Sequence, residues 1–250
     1  MSINLIMPMG GAGTRFANNG IECPKPLIQI DHRHFFEYAA DSIRKHCEIE
    51  SLIFVVLHDH VERFGIDDEI HTYAPEAKVI ELDHVLNGAV LTSMRGAGAV
   101  DNDKPIVFCD CDLMFRSEKL YGYLSGTEGE YRSGELDGFL VTFENSDGRF
   151  SYVKKNEEGF VTGTAEKKVI SNRAVCGAYG FRDKDSFLEY AGKYMDNCPY
   201  NEYYMSGIYN LMIDEGKKIG EFPTDEFLSF GTPEEYEMAR ALLEERSGRD

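Results

Sequence analysis

A glycine-rich loop with one arginine follows the first apolar run of the sequence. Residues 3–7 form a short, mainly apolar run that predicts a buried strand, and residues 9–16 read Met-Gly-Gly-Ala-Gly-Thr-Arg-Phe. Three glycines let backbone N–H groups approach a polyanion, and Arg15 adds a two-pronged donor for phosphate oxygens. The loop has neither the Gly-Lys-Ser/Thr of a Walker loop nor the spacing of a dinucleotide fingerprint. It predicts another kind of phosphate site, with an ordinary glycine turn as the alternative.

A lysine between two prolines lies ten residues after Arg15. The segment reads Cys23-Pro24-Lys25-Pro26-Leu27, and prolines restrict both their own backbone and that of the residue before them. Little conformational entropy is therefore lost when the Lys25 ammonium meets a ligand. A rigid loop without a ligand is the alternative, but a second cation so close to Arg15 favours a shared anionic ligand.

Two aspartates follow the apolar run at residues 106–109, in the segment Cys109-Asp110-Cys111-Asp112. In an extended chain, residues two apart project to the same face, so the carboxylates of Asp110 and Asp112 are expected to point together. Such a pair repels unless a cation lies between, and oxygen ligands favour a hard ion such as Mg²⁺. A solvated loop is the alternative. A zinc site is disfavoured because no second cysteine or histidine pair has matching spacing.

A fourth charged segment, Glu166-Lys167-Lys168, is followed by Asn172 and Gly177. A carboxylate beside two ammonium groups suits a ligand with hydroxyl groups at one end and a phosphate at the other. A charged hairpin is the alternative. By contrast, residues 58–60 (His-Asp-His) predict a loop or a helix start rather than a metal site.

The elements that must position these residues alternate between strand and helix in the first half of the chain. Apolar, β-branched runs predict buried strands at 3–7, 52–57, 79–82 and 106–109. Apolar spacing predicts helices at 35–47, from 59, and at 88–98. This alternation is typical of a mostly parallel sheet covered on both faces, which binds ligands beyond the carboxyl ends of its strands.

The second half of the chain has a different pattern. Strands are predicted at 138–143, 150–154, 159–164 and 175–181. Helices are predicted at 184–194, 202–215 and 233–245. We therefore expect a single α/β domain over residues 1–250, in which residues 1–115 form an α/β half and residues 116–250 form a half with a mixed sheet.

The charge and cysteine content exclude several classes of protein. With 26 basic and 44 acidic residues the net charge is −18, and such a surface repels nucleic acid and anionic lipid. Nucleic acid is therefore not an expected partner. A membrane is not expected either, since no apolar run approaches the ~20 residues that span a bilayer. Six sparse cysteines and the lack of a basic N-terminal flank predict a cytoplasmic protein.

Together these segments resemble the sugar-phosphate nucleotidyltransferases, the family of glucose-1-phosphate thymidylyl-, cytidylyl- and uridylyltransferases. The resemblance is carried by residues 10–16, 24–27, 110, 166–167 and 231–234, which occur in family order over most of the chain. It implies a Rossmann-like three-layer α/β/α fold with a mixed, mainly parallel central sheet. It also implies that a nucleoside triphosphate (NTP) and a sugar 1-phosphate, or a similar small phosphorylated metabolite, give a nucleotide sugar and pyrophosphate. Such products are precursors of polysaccharides or glycoconjugates.

The resemblance also assigns roles to individual residues. Arg15, Lys25 and Asp110 would be catalytic, with Mg²⁺ as the cofactor. The nucleotide-binding residues would be Met9, Gly10, Gly11, Gly13, Thr14, Arg15, Lys25 and Gly88, in the half formed by residues 1–115. The acceptor-binding residues would be Glu166, Lys167, Asn172 and Gly177, in the half formed by residues 116–250. The two substrates are the expected partners, and the resemblance is compatible with a homo-oligomer.

The sequence departs from the family pattern at two places. Many members have Glu-Lys-Pro where this chain has Glu-Lys-Lys at residues 166–168, so a different acceptor pocket is expected. The usual second metal-binding aspartate, just before the C-terminal Gly-Thr, is Ser229 here. We expect Asp112 to complete the metal site with Asp110, and Asp225 is the alternative.

Two other functions are compatible with part of the pattern. A catalytically silent, nucleotide-sugar-binding regulatory protein would have the same fold, but it would have no need of Arg15, Lys25, Asp110 and Lys167 together. A glycosyltransferase that holds a nucleotide sugar through Asp110 and Asp112 would leave the glycine loop and the Pro-Lys-Pro segment unexplained.

Overall fold

The computed structural model describes residues 2–127, 131 and 134–247. The strands are β1 (Ile3–Pro8), β2 (Gln29–Ile30), β3 (Arg33–His34), β4 (Ile49–Leu57), β5 (Lys78–Leu82), β6 (Ile106–Cys109), β7 (Leu113–Arg116), β8 (Gly138–Glu144), β9 (Tyr152–Lys155), β10 (Val161–Ala165), β11 (Arg173–Phe181), β12 (Ile219–Pro223) and β13 (Glu226–Ser229). The helices are α1 (Thr14–Ala17), α2 (Phe35–Arg44), α3 (His58–Phe64), α4 (Ile66–Tyr73), α5 (Ala89–Ala97), α6 (Glu118–Ser125), α7 (Lys184–Asp196), α8 (Met205–Asp214) and α9 (Pro233–Ser247), with a 3₁₀ turn at Lys25–Leu27.

A central sheet, with nine strands in the described part of the chain, runs through the fold. Strands β5, β4, β1 and β6 lie side by side and are parallel. Strand β11 then pairs antiparallel with β6, and the sheet continues through β9 to β10. Strand β8 also pairs antiparallel with β11 and carries β12 in parallel. The expected mixed sheet, parallel through the first half of the chain, is confirmed.

Helices cover both faces of this sheet because successive strand residues point to opposite sides. Along β1, Leu5 and Met7 join a core formed with α2, α4 and α6, whereas Ile6 joins a second core formed with α5, α7 and α8. The expected three layers are therefore present. None of the described helices is both long enough and apolar enough to cross a bilayer. All six cysteines are free.

Some elements differ from the sequence patterns. The predicted helix from residue 59 is two helices, because Gly65 adopts φ 60° at the end of α3. The patterns do not predict α6, β12 or the small antiparallel sheet of β7 and β13, in which Leu113 pairs with Ser229. In that sheet the Phe230 N–H donates to the Asp112 carbonyl oxygen at 2.7 Å. The small sheet thus brings the C-terminal segment against the predicted metal site. The single domain over residues 1–250 stays a prediction, and its ends lie outside the described residues.

Phe108 offers a test of the second core, because it lies on the strand that leads to Asp110. It is fully buried, with its ring centroid 4.4 Å from that of Phe187 and 5.9 Å from that of Phe181. We expect Phe108→Ala to lower the free energy of unfolding by about 3–5 kcal/mol, because it leaves a cavity. Urea unfolding measures this loss, and the exposed control Val169→Ala should change stability by less than about 0.5 kcal/mol. An equally small change for Phe108→Ala would contradict this account of the core.

Candidate functional site

Two cavities meet at the carboxyl end of β6. The glycine-loop cavity, of about 190 Å³, is lined by Pro8, Met9, Gly11, Lys25, Pro26, Asp110, Cys111 and Asp112. The central cavity, of about 240 Å³, extends from Asp110 and Asp112 to Arg15, Glu166 and Tyr204. Because the two aspartates line both cavities, a ligand bound in one cavity would lie next to a ligand bound in the other.

The glycines of the first loop have different structural roles. Gly10 packs below the loop, where a Cβ atom would lie 2.8 Å from Leu82 Cδ1. Gly11 faces open space, with no atom within 4 Å of its Cβ position, and Gly13 adopts φ 61° just before α1. The exposed Thr14 begins that helix. Gly11 is therefore the glycine best placed to let a ligand approach the backbone.

Lys25 reaches from the Pro-Lys-Pro segment to the aspartates. The preceding Pro24 has φ −54° and ψ 140°, and the 3₁₀ turn begins at Lys25 itself. Lys25 Nζ donates to Asp112 Oδ2 at 2.7 Å, and the Lys25 side chain is 28% exposed. This ammonium thus neutralises one of the two carboxylates.

Burial and neighbouring charges shift the pKa values of Asp110 and Lys25. Burial, followed by repulsion from Asp112, raises the pKa of Asp110 from 3.8 to about 7, against the attraction of Lys25. Burial on its own would lower the pKa of Lys25, but attraction to Asp112 and its neighbours raises that pKa above the ordinary 10.5. One ammonium therefore leaves the negative charge of the two carboxylates incompletely balanced, and a further cation would complete the balance.

Two glycines make room for the aspartate side chains. Gly177, in the middle of β11, has φ 104°, and a Cβ atom there would lie 2.7 Å from Asp110 Oδ2. Its carbonyl oxygen also accepts the Asp110 backbone N–H at 2.9 Å. Gly231 is the second, since a Cβ atom there would lie 3.1 Å from Asp112 Oδ2. Gly177 thus lies in the wall of the central cavity, against the catalytic candidate Asp110.

Glu166 is fixed by two serines at the far side of the central cavity. The hydroxyls of Ser151 and Ser206 both donate to Glu166 Oε2, the latter at 2.9 Å, and both serines are buried. Two donors on one oxygen orient the carboxylate and leave Oε1 available to accept a ligand hydroxyl. The two serines are far from Glu166 in sequence and carried no signal of this role.

Three other predicted residues lie at or beyond the rim of the cavities. Lys167 has φ 52°, and its Nζ donates to Tyr204 Oη at 2.7 Å, so it approaches the cavity through Tyr204. Asn172 is exposed, and its carbonyl oxygen accepts the Asn145 N–H at 3.1 Å. Gly88 packs against the main chain of Tyr203, 2.6 Å from its Cβ position. Neither Asn172 nor Gly88 is among the residues that line the two cavities.

Arg15 lies between the glycine loop and the C-terminal segment. Its exposed guanidinium lines the central cavity, and Nη1 donates to the Gly231 carbonyl oxygen at 3.4 Å. The adjacent Phe16 is fully buried in a third core that also contains Phe35 and Phe230. This core holds the loop against the chain around Gly231, so Arg15 faces the central cavity rather than the glycine-loop cavity.

A carboxylate from α9 lies beside Ser229. Ser229 Oγ donates to Glu235 Oε2 at 2.8 Å, and Arg149 pairs with the same glutamate. Asp225, the alternative metal ligand, instead accepts the backbone N–H of Glu118 at 2.8 Å at the start of α6. Asp225 lines neither cavity, whereas Asp112 lines both, so Asp112 stays the predicted second ligand. The long sequence separation of Arg149 and Glu235 hid their contact.

The donor set fits an open magnesium site. Among the described residues, no group of three or more His, Cys, Asp or Glu side chains is arranged to enclose a metal ion. Asp110 and Asp112 supply two carboxylates with incompletely balanced charge, and Mg²⁺ commonly binds one or two carboxylates together with waters and substrate phosphates. The arrangement can thus align two anionic ligands, with Lys25 and Arg15 as fixed cations and Glu166 as a hydroxyl acceptor.

Comparison with known proteins shows similarity in structure only. No protein-family model and no curated protein matches the sequence. The nucleoside-diphosphate-sugar pyrophosphorylase of Vibrio cholerae is similar, with a TM-score of 0.77 and 22% identity over 93% of this chain and 98% of that one. A UDP-glucose pyrophosphorylase solved with UDP-glucose has a TM-score of 0.76, with 16% identity over 98% and 100%. The inositol-1-phosphate CTP transferase of T. maritima has a TM-score of 0.73, with 16% identity over 94% and 91%. The chain therefore has the fold of these pyrophosphorylases and of this CTP transferase.

Proposed function

We propose that this protein is a Mg²⁺-dependent nucleotidyltransferase that joins an NTP to a sugar 1-phosphate, or to a similar small phosphorylated metabolite, and releases pyrophosphate. The observation that carries the proposal is the meeting of two cavities at Asp110 and Asp112, with Lys25 on one side and Glu166 on the other. The fold shared with pyrophosphorylases supports the same reaction class.

In this proposal the chain aligns two polyanions that would otherwise repel. The acceptor phosphate is already an anionic nucleophile near pH 7, so no general base is needed. One of its oxygens forms a bond to the α-phosphorus, the bond from that phosphorus to the β-phosphate oxygen breaks, and pyrophosphate carries away the charge. Mg²⁺ at Asp110 and Asp112 would supply neutralisation of the phosphate oxygens.

The remaining site residues act by charge and position. Lys25 and the backbone at Gly11 hold the triphosphate, and Arg15 stabilises charge where the two cavities join. Glu166 accepts a hydroxyl of the acceptor through Oε1. Lys167 and Tyr204 lie at the rim of the central cavity, where the Lys167 ammonium attracts the acceptor phosphate into the cavity.

A pyrophosphate-release screen tests this function. ATP, GTP, CTP, UTP and dTTP are each combined with sugar 1-phosphates and phosphorylated alcohols. Release that requires both an NTP and an acceptor supports the proposal and identifies both substrates. Sugar transfer from a nucleotide sugar to a second acceptor without pyrophosphate would instead support a glycosyltransferase. Binding without turnover would support a regulatory protein.

Substitutions of Lys167 and Lys25 should affect different substrates in steady-state kinetics. We expect Lys167→Ala to raise the KM for the acceptor by about 10-fold or more, the cost of losing a charged hydrogen bond of ~1.5–3 kcal/mol. It should leave the KM for NTP nearly unchanged. Lys25→Ala should instead impair use of the NTP. A Lys167→Ala enzyme that is altered only in its KM for NTP would contradict the assignment of the two cavities.

Asp110→Asn should stabilise the metal-free protein in a pH-dependent way. Because the pKa of Asp110 is raised from 3.8 to about 7 on folding, the folded protein binds this proton more tightly than the unfolded chain. The resulting stability is complete below about pH 4 and is lost as the pH rises to about 7. We expect the variant to have the same Tm as the parent near pH 4 and a higher Tm above pH 7. The difference should be about 2–4 °C for each kcal/mol by which the ionised Asp110 lowers the free energy of unfolding of the parent.

Thermal unfolding in EDTA across this pH range, by circular dichroism, measures the difference. At the upper end of the range, added Mg²⁺ should raise the Tm of the parent more than that of the variant, which also loses turnover. A difference in Tm that does not grow with pH would show that ionised Asp110 does not destabilise the folded protein.

A further inference from the structure

An aromatic groove, defined by Phe143, Phe150, Phe227, Met238 and Leu242, lies beside the central cavity. It encloses about 290 Å³. The ring centroids of Phe143 and Phe227 are 4.1 Å apart, and those of Phe143 and Phe150 are 5.0 Å apart. On its outer wall, Met238 and Leu242 are 69% and 42% exposed. Large apolar side chains this exposed, one helical turn apart, form a surface that water solvates poorly.

The groove adjoins the central cavity. Five residues line both spaces: Arg149, Phe150, Phe227, Ser229 and Glu235. The guanidinium of Arg149 marks the junction, because it pairs with Glu235 and lies 4.7 Å from the ring centroid of Phe150. A ligand that extended past Arg149 would therefore pass from a polar cavity into a more apolar one.

This division resembles a ligand site in which a few polar groups orient one end and an apolar wall takes the other. At about 290 Å³, the groove has room for a substituent of several non-hydrogen atoms. The proposed reaction places the acceptor in the central cavity, so the molecule that reaches the groove is the acceptor.

We propose that the aromatic groove binds an apolar substituent of the phosphorylated acceptor, an inference that rests on the proposed function. The acceptor class is then a phosphate ester with an alkyl or aryl extension, rather than a wholly polar sugar phosphate. Met238 and Leu242 contact the outer end of that substituent, and the three phenylalanines contact its inner part.

Alkyl phosphates test this proposal by calorimetry with the full chain. Methyl phosphate probes the central cavity alone, and n-hexyl phosphate adds a chain that reaches the groove. Each buried methylene is worth about a fourfold gain in affinity, so we expect hexyl phosphate to bind at least about 10-fold more tightly than methyl phosphate. Met238→Glu should remove most of this gain and leave methyl phosphate binding unchanged.

Ala241→Glu is the matched control, since it adds the same charge at an exposed position of α9 that does not line the groove. It should retain the gain. Equal binding of the two phosphates by the parent would overturn the groove proposal and leave the proposed function standing. Failure of both phosphates to bind would contradict both proposals.

Sedimentation velocity tests the other possible occupant of the groove, which is a second copy of this chain. If Met238→Glu converts a dimer into a monomer while hexyl phosphate keeps its advantage, the groove is an interface between copies and the proposal is wrong. A sedimentation coefficient that is unchanged by the variant, together with loss of the hexyl advantage, supports the acceptor as the occupant.

Discussion

The ion pair between Lys25 and Asp112 is the interaction on which the rest of the site depends. Two carboxylates lie together at the end of a buried strand, where burial and mutual repulsion raise the pKa of Asp110 to about 7. Lys25 Nζ, 2.7 Å from Asp112, offsets part of that repulsion. The pair balances part of the charge of the metal-free site, but it also occupies an oxygen that the proposed metal ion would use.

Several backbone features maintain this arrangement. The prolines around Lys25 hold its backbone in place, and Gly177 and Gly231 leave space for the two aspartate side chains. The small sheet of β7 and β13 brings the Gly231 segment next to Asp112. A third core around Phe16 and Phe230 then ties that segment to the glycine loop. Residues from both ends of the chain are thereby held around one pair of carboxylates.

Local patterns in the sequence were enough to predict much of the fold. Apolar runs and helical spacing predict the parallel strands and most helices, since these signals depend on neighbouring residues. The same reasoning predicts the importance of Lys25 and Asp110, because each directly adjoins a rigid or buried segment. The antiparallel pairing of β11 with β6 and the small sheet of β7 and β13 join distant segments, and spacing along the sequence does not encode such pairings.

The candidate site shows the same limit at the level of single residues. Glu166 is recognisable from its own segment, but Ser151 and Ser206, which orient it, come from separate elements. Ser229 looks like the loss of an acid until α9 places Glu235 beside it. Asp225, conversely, looks available in sequence but caps α6. In each case a tertiary contact decides the role, and residue type and spacing do not.

Manganese binding, followed by electron paramagnetic resonance with and without NTP, tests the central claim most directly. Because Lys25 holds Asp112 in the free protein, Mn²⁺ alone should bind the parent weakly and bind at least about 10-fold more tightly with the matching NTP, a coupling within the usual ~1–3 kcal/mol. Lys25→Met should bind Mn²⁺ more tightly than the parent without NTP and lose most of the NTP effect. Equal Mn²⁺ affinity in the parent and in Lys25→Met, with or without NTP, would contradict the account.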